Sequence, residues 1–428
     1  MIIKQFKDKL HSPMGRDVIW TFSVQILVML CGFIITKILS NRLSVDDFGL
    51  FNVIKRSTGV LSFVILAGTG IAIPRYLPIF RNQKAPFSGI SFTQASLLIV
   101  LAIAILVSLV CLCFPDFWSN MMVGRQQLSL LVLALLYSFA FATASFIYAY
   151  FRGTDQFRQF NLSQAMIQLC CILPLLLLPV LTVEKVYEAW IIIMLGLVVC
   201  FAIAEMHRHH YVFLRRCSIP AIRCQLKEAF SYSAPRMIGD FFLFSINAFP
   251  VIYIGYYHRF SDVAYFSVGL TFVTLGTSLF SILGYILLPY VSGALARHEM
   301  RQAGRSINKL LFIYTATTIV LSLAFILFLP FMIRLFFSAN YLVATDITRI
   351  MLLAILPQSI YLLYRNPIDA ISKTPYNTLN LGICLAIMVF AFYQLNTLQH
   401  FAYAFLGVCT LKGVISILTW EVLKKKKI

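Results

Sequence analysis

The chain has 428 residues, of which 60% are hydrophobic and only 12% carry a charge. Soluble globular proteins carry about 25% charged residues, so this composition excludes a soluble domain and indicates an integral membrane protein. The formal net charge of +19 would suggest nucleic acid in a soluble protein. In a membrane protein basic residues mark cytoplasmic loops and face anionic lipid headgroups, so no nucleic-acid partner is expected.

Long apolar runs recur along the whole chain, with short polar segments between them. At roughly 20 residues per crossing, they predict about twelve transmembrane helices. The expected fold class is therefore all-α, a polytopic membrane protein. The longest segment between spans is 206–233, which is too short for a sizeable soluble domain. The predicted spans are 17–40, 47–73, 88–113, 127–150, 160–182, 186–205, 234–257, 263–289, 307–330, 346–364, 376–395 and 400–421.

The basic residues of the loops predict the orientation of the chain. With the N-terminus in the cytoplasm, 25 of the 35 lysine and arginine residues fall in inner segments and 6 in outer ones. Because cytoplasmic loops are enriched in lysine and arginine, this asymmetry favours an even number of spans with both termini inside.

Similar features recur at half the chain length. Pro74 and Pro289 each close a span and are 215 residues apart, and Pro115 and Pro330 repeat that spacing. This predicts two parallel six-helix bundles around a central cavity, as in transporters built from repeats. The expected domains are residues 1–205, a cytoplasmic linker at 206–233 that could form an amphipathic helix, and residues 234–428.

Two adjacent cations lie inside the second predicted span. Lys55 and Arg56 follow a helix start near residue 44, which places them about 17 Å from the outer surface. Asn52, Gly59 and Ser62 share their helical face. Cations at this depth usually face a bundle interior or a wet cavity, and together they could grip a phosphate or pyrophosphate. The alternative is a structural pair that binds backbone carbonyls or lies nearer the surface.

Asp240 is the acidic residue that the pattern places well inside a span, on a broadly common face with Arg236 and Asn247. It could couple transport to an ion gradient, or it could pair with Arg236 one helical turn away. Lys37 lies near the outer end of the first span, where snorkelling is expected. Lys412 lies in mid-span and could line a cavity or neutralise a distant acid.

The sequence predicts neither a metal site nor a cofactor. Its ten cysteines contain no CxxC pair, and no P-loop or HExxH motif occurs. His207, His209 and His210 lie at the basic end of the sixth span, which favours a solvated face over a metal site.

The segment at 41–51 resembles the polysaccharide-biosynthesis export family, in which the first span ends in an L-[ST]-x-x-[DE]-[FY]-G-x-[FY] pattern. The segment at 68–78 is similar to the family's glycine-rich end of the second span, and 151–157 resembles its F-R-G-x-x-x-F loop. The matching residues of the first pattern are Leu43, Ser44, Asp47, Phe48, Gly49 and Phe51.

This resemblance implies a flippase for lipid-linked oligosaccharides, of the O-antigen type, within the superfamily that also contains multidrug antiporters. It implies an undecaprenyl-pyrophosphate-linked oligosaccharide as substrate, membrane lipids as surroundings, and a polymerase and chain-length proteins as pathway partners. The expected location is the bacterial inner membrane. The implied cavity lining, from spans one, two, seven and eight, comprises Lys55, Arg56, Asn52, Gln25 and Asn247 for the substrate and Asp240 for ion coupling.

Two other functions are weighed against the flippase. A multidrug or cation antiporter of the same architecture would need acidic residues in its cavity, and this chain offers mainly cations. A membrane glycosyltransferase or polymerase would need a long outer loop with catalytic residues, whereas the predicted outer loops are short. A non-enzymatic transport function is therefore expected.

Overall fold

A computed structural model describes residues 13–82, 86–208, 219–296, 300–372 and 374–427, and regular structure in these residues is entirely helical. Every predicted span falls on a helix or on a pair of consecutive helices. The α-helices are α1 (Pro13–Arg42), α2 (Val45–Leu66), α3 (Thr69–Asn82), α4 (Pro86–Cys113), α5 (Pro115–Val123), α6 (Leu128–Gly153), α7 (Phe157–Leu177), α8 (Val183–Arg208), α9 (Ile219–Tyr257), α10 (Phe260–Ala296), α11 (Met300–Phe336), α12 (Thr345–Leu352), α13 (Ile355–Ile371), α14 (Tyr376–Gln394) and α15 (Leu398–Lys427).

Ten stretches of helix in the described residues are long and apolar enough to cross a membrane. An eleventh crossing arises if Ala339–Leu352 and Ile355–Ile371, bent by 44° at a short break, form one broken span. The predicted eighth span falls on α10, which is 37 residues long. In lipid the backbone must satisfy its hydrogen bonds within the segment, which is why apolar runs of this length are helical. The predicted all-α polytopic class is confirmed.

The chain divides into two compact units. The first contains Met1–Ser44 and Ser57–Met237, and the second contains Val45–Arg56 and Ile238–Ile428. The first half of α2 thus packs with the second unit, although its sequence lies in the first half of the chain. The domain bounds expected from the sequence stay predictions, and residues 209–218 of the expected linker lie outside the described residues.

The second predicted span consists of two helices, because the backbone breaks between α2 and α3. Ala67 and Gly68 are both left-handed, with φ of 46° and 76°. This region suits glycine and costs alanine roughly 1–2 kcal/mol. The Thr69 hydroxyl donates to the Leu66 carbonyl at 2.7 Å, and the Gly68 carbonyl accepts the N–H of Ala72 at 3.1 Å. These bonds satisfy part of the backbone that the break leaves open.

The F-R-G segment at 151–153 packs against α3. Pro74 lies inside α3 and has no N–H, so the Gly70 carbonyl one turn earlier lacks its helical donor. The Arg152 guanidinium donates to that carbonyl in a long hydrogen bond of 3.4 Å. A Cβ on Gly153 would lie 2.8 Å from the Ile73 carbonyl oxygen. Arginine and glycine at these positions therefore let α6 lie close to a proline-containing helix.

Aromatic packing joins the start of α2 to the rest of the second unit. The Phe48 ring lies 5.4 Å from Tyr341 and 6.3 Å from Phe337, centroid to centroid. An ideal Cβ on Gly49 would lie 1.9 Å from the Phe260 carbonyl oxygen. The phenylalanine and glycine of the 43–51 pattern are therefore structural: they seat α2 directly against α10.

Candidate functional site

The two cations of α2 follow a buried stretch of that helix and are more exposed than the stretch itself. Residues 48–54 are all buried, whereas Lys55 is exposed and Arg56 is half-buried. They lie ten and eleven residues after the start of α2, which corresponds to about 15 Å along the helix. The Lys55 ammonium lies 5.8 Å from the centroid of the Phe51 ring. Both charges are therefore held at depth within a segment long enough to span a membrane.

The other polar residues predicted to share the helical face of Lys55 and Arg56 form hydrogen bonds within their own helix. The Asn52 amide donates to the Phe48 carbonyl at 2.7 Å, and the Ser62 hydroxyl donates to the Gly59 carbonyl at 2.7 Å. Such bonds to the preceding turn are usual for polar side chains inside helices. On this face the two cations are therefore the accessible polar groups, whereas Asn52 is buried.

Asp240 forms an ion pair with Arg365, which lies on α13. The distance from Oδ1 to Nη2 is 2.5 Å, and both side chains are about one third exposed, at 31% and 32%. The Asn377 amide donates to the Arg365 carbonyl and to Asp369 Oδ1, both at 2.8 Å. These bonds connect α9, α13 and α14 in one charged network. The side chain of Arg236, the expected alternative partner, lies outside the described side chains.

The sequence did not single out Arg365 or Asp369, since both were assigned to an inner loop. Their spacing of four residues was a usable signal, because a cation and an acid one turn apart share a helical face. Helical spacing could not predict the partner of Asp240, since that partner lies 125 residues further along the chain.

Lys412 is completely buried within the second unit, so its ammonium is not open to water. It donates a short hydrogen bond to Gln358 Oε1 and lies 4.7 Å above the centroid of the Tyr361 ring. A buried ammonium needs hydrogen-bond partners, and here an amide and an aromatic face supply them. Its full burial contradicts the cavity lining considered from the sequence, whereas the neutralisation of a distant acid stays a prediction.

The remaining predicted residues lie apart from this network. The Asn247 amide donates to the Leu243 carbonyl of its own helix at 3.4 Å. Gln25 belongs to the first unit, whereas the other five predicted site residues belong to the second. In the first unit the Gln25 amide donates to Gln164 Oε1 at 2.6 Å.

A buried acid that sequence reasoning missed lies near the C-terminal end of α8. Glu205 is only 4% exposed, and its Oε1 accepts hydrogen bonds from Gln156 at 2.5 Å and from the Tyr150 hydroxyl at 3.4 Å. It closes the predicted sixth span, where an acid ordinarily faces water. Across the described ranges, no three histidine, cysteine or acidic residues are grouped to hold a metal ion; His209 and His210 lie outside those ranges.

Solved structures of membrane transporters share the fold of this chain. A multidrug resistance MATE family transporter of the MOP superfamily, in an inward-facing conformation, matches with a TM-score of 0.72 at 12% identity, over 96% of this chain and 98% of that one. Lipid II flippase MurJ, in an inward closed conformation, matches with a TM-score of 0.69 at 14% identity, over 96% and 87%. A MOP superfamily transporter from Pyrococcus furiosus matches with a TM-score of 0.61 at 14% identity, over 96% and 94%. The protein is a multi-pass membrane protein with the fold of MOP superfamily transporters.

The family follows from the sequence itself. Residues 14–295 match the family described as polysaccharide biosynthesis protein. This is more than half of the chain, and the chain belongs to that family. No curated protein sequence matches it significantly.

Proposed function

We propose that the protein is a flippase that moves an undecaprenyl-pyrophosphate-linked oligosaccharide across the bacterial inner membrane by alternating access, with both termini in the cytoplasm. The observation that carries the proposal is the pair of accessible cations, Lys55 and Arg56, inside an apolar helix. Membership of a polysaccharide biosynthesis family supports a carbohydrate substrate. A likeness in fold to a lipid II flippase supports translocation of a lipid-linked molecule.

A pyrophosphate is the part of such a substrate that most needs these cations. An arginine guanidinium can grip two phosphate oxygens at once, and a lysine adds a mobile point charge. Cations inside a bilayer are costly, and an anionic headgroup passing beside them would stabilise the charges. The lipid tail would stay in the bilayer, and the polymerase and chain-length proteins would act on the translocated product.

Asp240 is the proposed ion-coupling residue. Its pair with Arg365 is about one third exposed, so a proton or a metal cation can reach the carboxylate. Either would compete with the guanidinium for it and weaken the link between α9 and α13. An imposed proton or sodium gradient should therefore speed export by the wild-type protein but not by Asp240→Asn. An equal response of the two proteins would refute this role.

The flippase proposal is tested in a flippase-null strain that makes an undecaprenyl-linked polysaccharide. The variant Lys55→Ala/Arg56→Ala loses two charge-assisted contacts of about 1.5–3 kcal/mol each, so export should fall at least about a hundredfold. Lys185→Ala, which removes an exposed cation at the start of α8, is the matched control and should export normally. Wild-type export by the double variant would refute the site, and no complementation by the wild-type protein would refute the function.

A multidrug or cation antiporter is the second candidate, because the MATE transporter shares the fold. A cationic drug would favour a site rich in acidic residues, whereas the predicted site residues of this chain contain two cations and a single acid, Asp240. Drug accumulation in an efflux-deficient strain separates the two functions. Reduced accumulation without polysaccharide export would favour the antiporter.

A further inference from the structure

Two facing helices of the first unit are joined through polar side chains. The Gln25 amide of α1 donates to Gln164 Oε1 of α7 at 2.6 Å. One turn nearer the N-terminal end of both helices, the Asn161 amide donates to the Thr21 hydroxyl at 2.9 Å. Bonds of this kind often hold membrane helices together, but the two pairs differ in exposure. Asn161 is fully buried, whereas Gln25 is exposed and Gln164 is half-buried.

The amides of α7 form a stripe that is separate from its lipid-compatible face. Asn161, Gln164 and Gln168 recur at i, i+3 and i+7, the spacing of one helical face. A neighbouring face, centred about a third of a turn away, carries three leucines that are 50%, 47% and 53% exposed, Leu162, Leu169 and Leu173. Exposed leucines suit acyl chains, so the amides lie on a different face from the one that suits lipid.

The division is less complete on α1. Ile34, which is 47% exposed, lies on the far side of the helix from Gln25, whereas Phe22 and Ile26, 41% and 39% exposed, lie within about 100° of it. An unbonded amide in hydrocarbon costs several kcal/mol. The partly exposed glutamines are therefore stable only where water or a polar ligand reaches them.

These glutamines retain unused hydrogen-bonding groups. Each side-chain amide has two donors and an acceptor with two lone pairs, and the Gln25–Gln164 bond uses one of each. Gln168 makes no hydrogen bond with any residue that the structure describes. Within the same ranges, the buried Asn161 Oδ1 also has no partner. The cluster thus offers donors and acceptors side by side and carries no charge.

We infer that Gln25, Gln164 and Gln168 form a subsite for the hydroxyl and acetamido groups of a carbohydrate. This inference rests on the proposed flippase function and extends it, because it assigns the sugar to uncharged residues of the first unit rather than to the two cations. Sugar hydroxyls both donate and accept, which matches amides and matches neither an apolar drug nor a bare phosphate. Gln25 was expected at the substrate site from the sequence. The structure adds its hydrogen-bond partner Gln164, and the helical spacing adds Gln168, one turn further along α7.

The test uses purified protein in proteoliposomes and two probes. Both are undecaprenyl pyrophosphates, one bearing a single N-acetylglucosamine and the other a chain of three. Movement is followed by the access of an external lectin to the sugar. The principal variant is Gln168→Leu, which removes no hydrogen bond seen within the described residues. The matched control is Asn380→Leu, which removes an interhelical bond of 3.0 Å to Thr419 in the second unit.

If the inference is right, Gln168→Leu and Gln164→Leu/Gln168→Leu slow the three-sugar probe more than the one-sugar probe, by about tenfold for the double variant, since one or two hydrogen bonds to sugar are lost. The control variant Asn380→Leu should change the rate of movement of both probes by the same factor. Equal slowing of both probes by the glutamine variants, or no slowing, overturns the subsite and leaves the flippase intact. If the wild-type protein moves neither probe, the proposed function fails and the subsite fails with it.

Discussion

The contact between Gly49 and Phe260 makes a sharp prediction about how α2 is seated. In Gly49→Ala, the new Cβ would lie 1.9 Å from the Phe260 carbonyl oxygen. The closest ordinary carbon–oxygen contact is about 3.3 Å, so the two backbones must separate by about 1.4 Å. Overpacking usually costs about 1–3 kcal/mol, and a backbone obstacle that cannot rotate away favours the upper end. The gain in helix propensity from glycine to alanine offsets at most about 1 kcal/mol.

We therefore expect Gly49→Ala to be destabilised by about 2 kcal/mol, measured as thermal unfolding of purified protein in detergent. Gly407→Ala is the matched control, since no atom lies within 4 Å of the position of its new Cβ, and it should unfold at the same temperature or slightly higher. Export should fall as well, because Lys55 and Arg56 follow on the same helix. A Gly49→Ala protein that unfolds and exports like wild type would refute the close packing of α2 on α10.

Three further predictions use thermal unfolding of purified variants. Arg365→Gln should lower the free energy of unfolding by about 1–2 kcal/mol. This is less than the 3–5 kcal/mol of a fully buried pair, because the pair is one third exposed. Adding Asp240→Asn should recover most of the lost stability, and a further loss would contradict the pairing. Arg152→Ala should cost about 0.5–1 kcal/mol more in the wild-type background than in Pro74→Ala, because the alanine there supplies an N–H to the Gly70 carbonyl. Equal losses in both backgrounds would count against this role. Gln358→Leu should lower the free energy of unfolding by about 2–3 kcal/mol, because it leaves the Lys412 ammonium buried without its acceptor. Adding Lys412→Met should restore the stability of this variant. If it does not, another group binds the lysine.

The sequence by itself determined which parts of this chain are helical and that they are membrane spans. Apolar runs of about twenty residues must satisfy their backbone hydrogen bonds internally when water is absent, so the solvent dictates the helix. The sequence also identified Lys55 and Arg56 as candidate site residues, because two adjacent cations in an apolar run can be recognised without knowing what they contact. The family pattern at 43–51 could likewise be recognised from the sequence, since its residues are contiguous.

Only the tertiary structure decided which side chains meet. Arg365 pairs with Asp240 across 125 residues, and Gln25 pairs with Gln164 across 139. The first half of α2 packs with the second unit. None of these follows from periodicity, because a helical pattern reports which face is apolar and not which neighbouring helix that face will meet. The break at Ala67 was equally hidden, since alanine favours helix and takes a left-handed conformation only where surrounding packing imposes it.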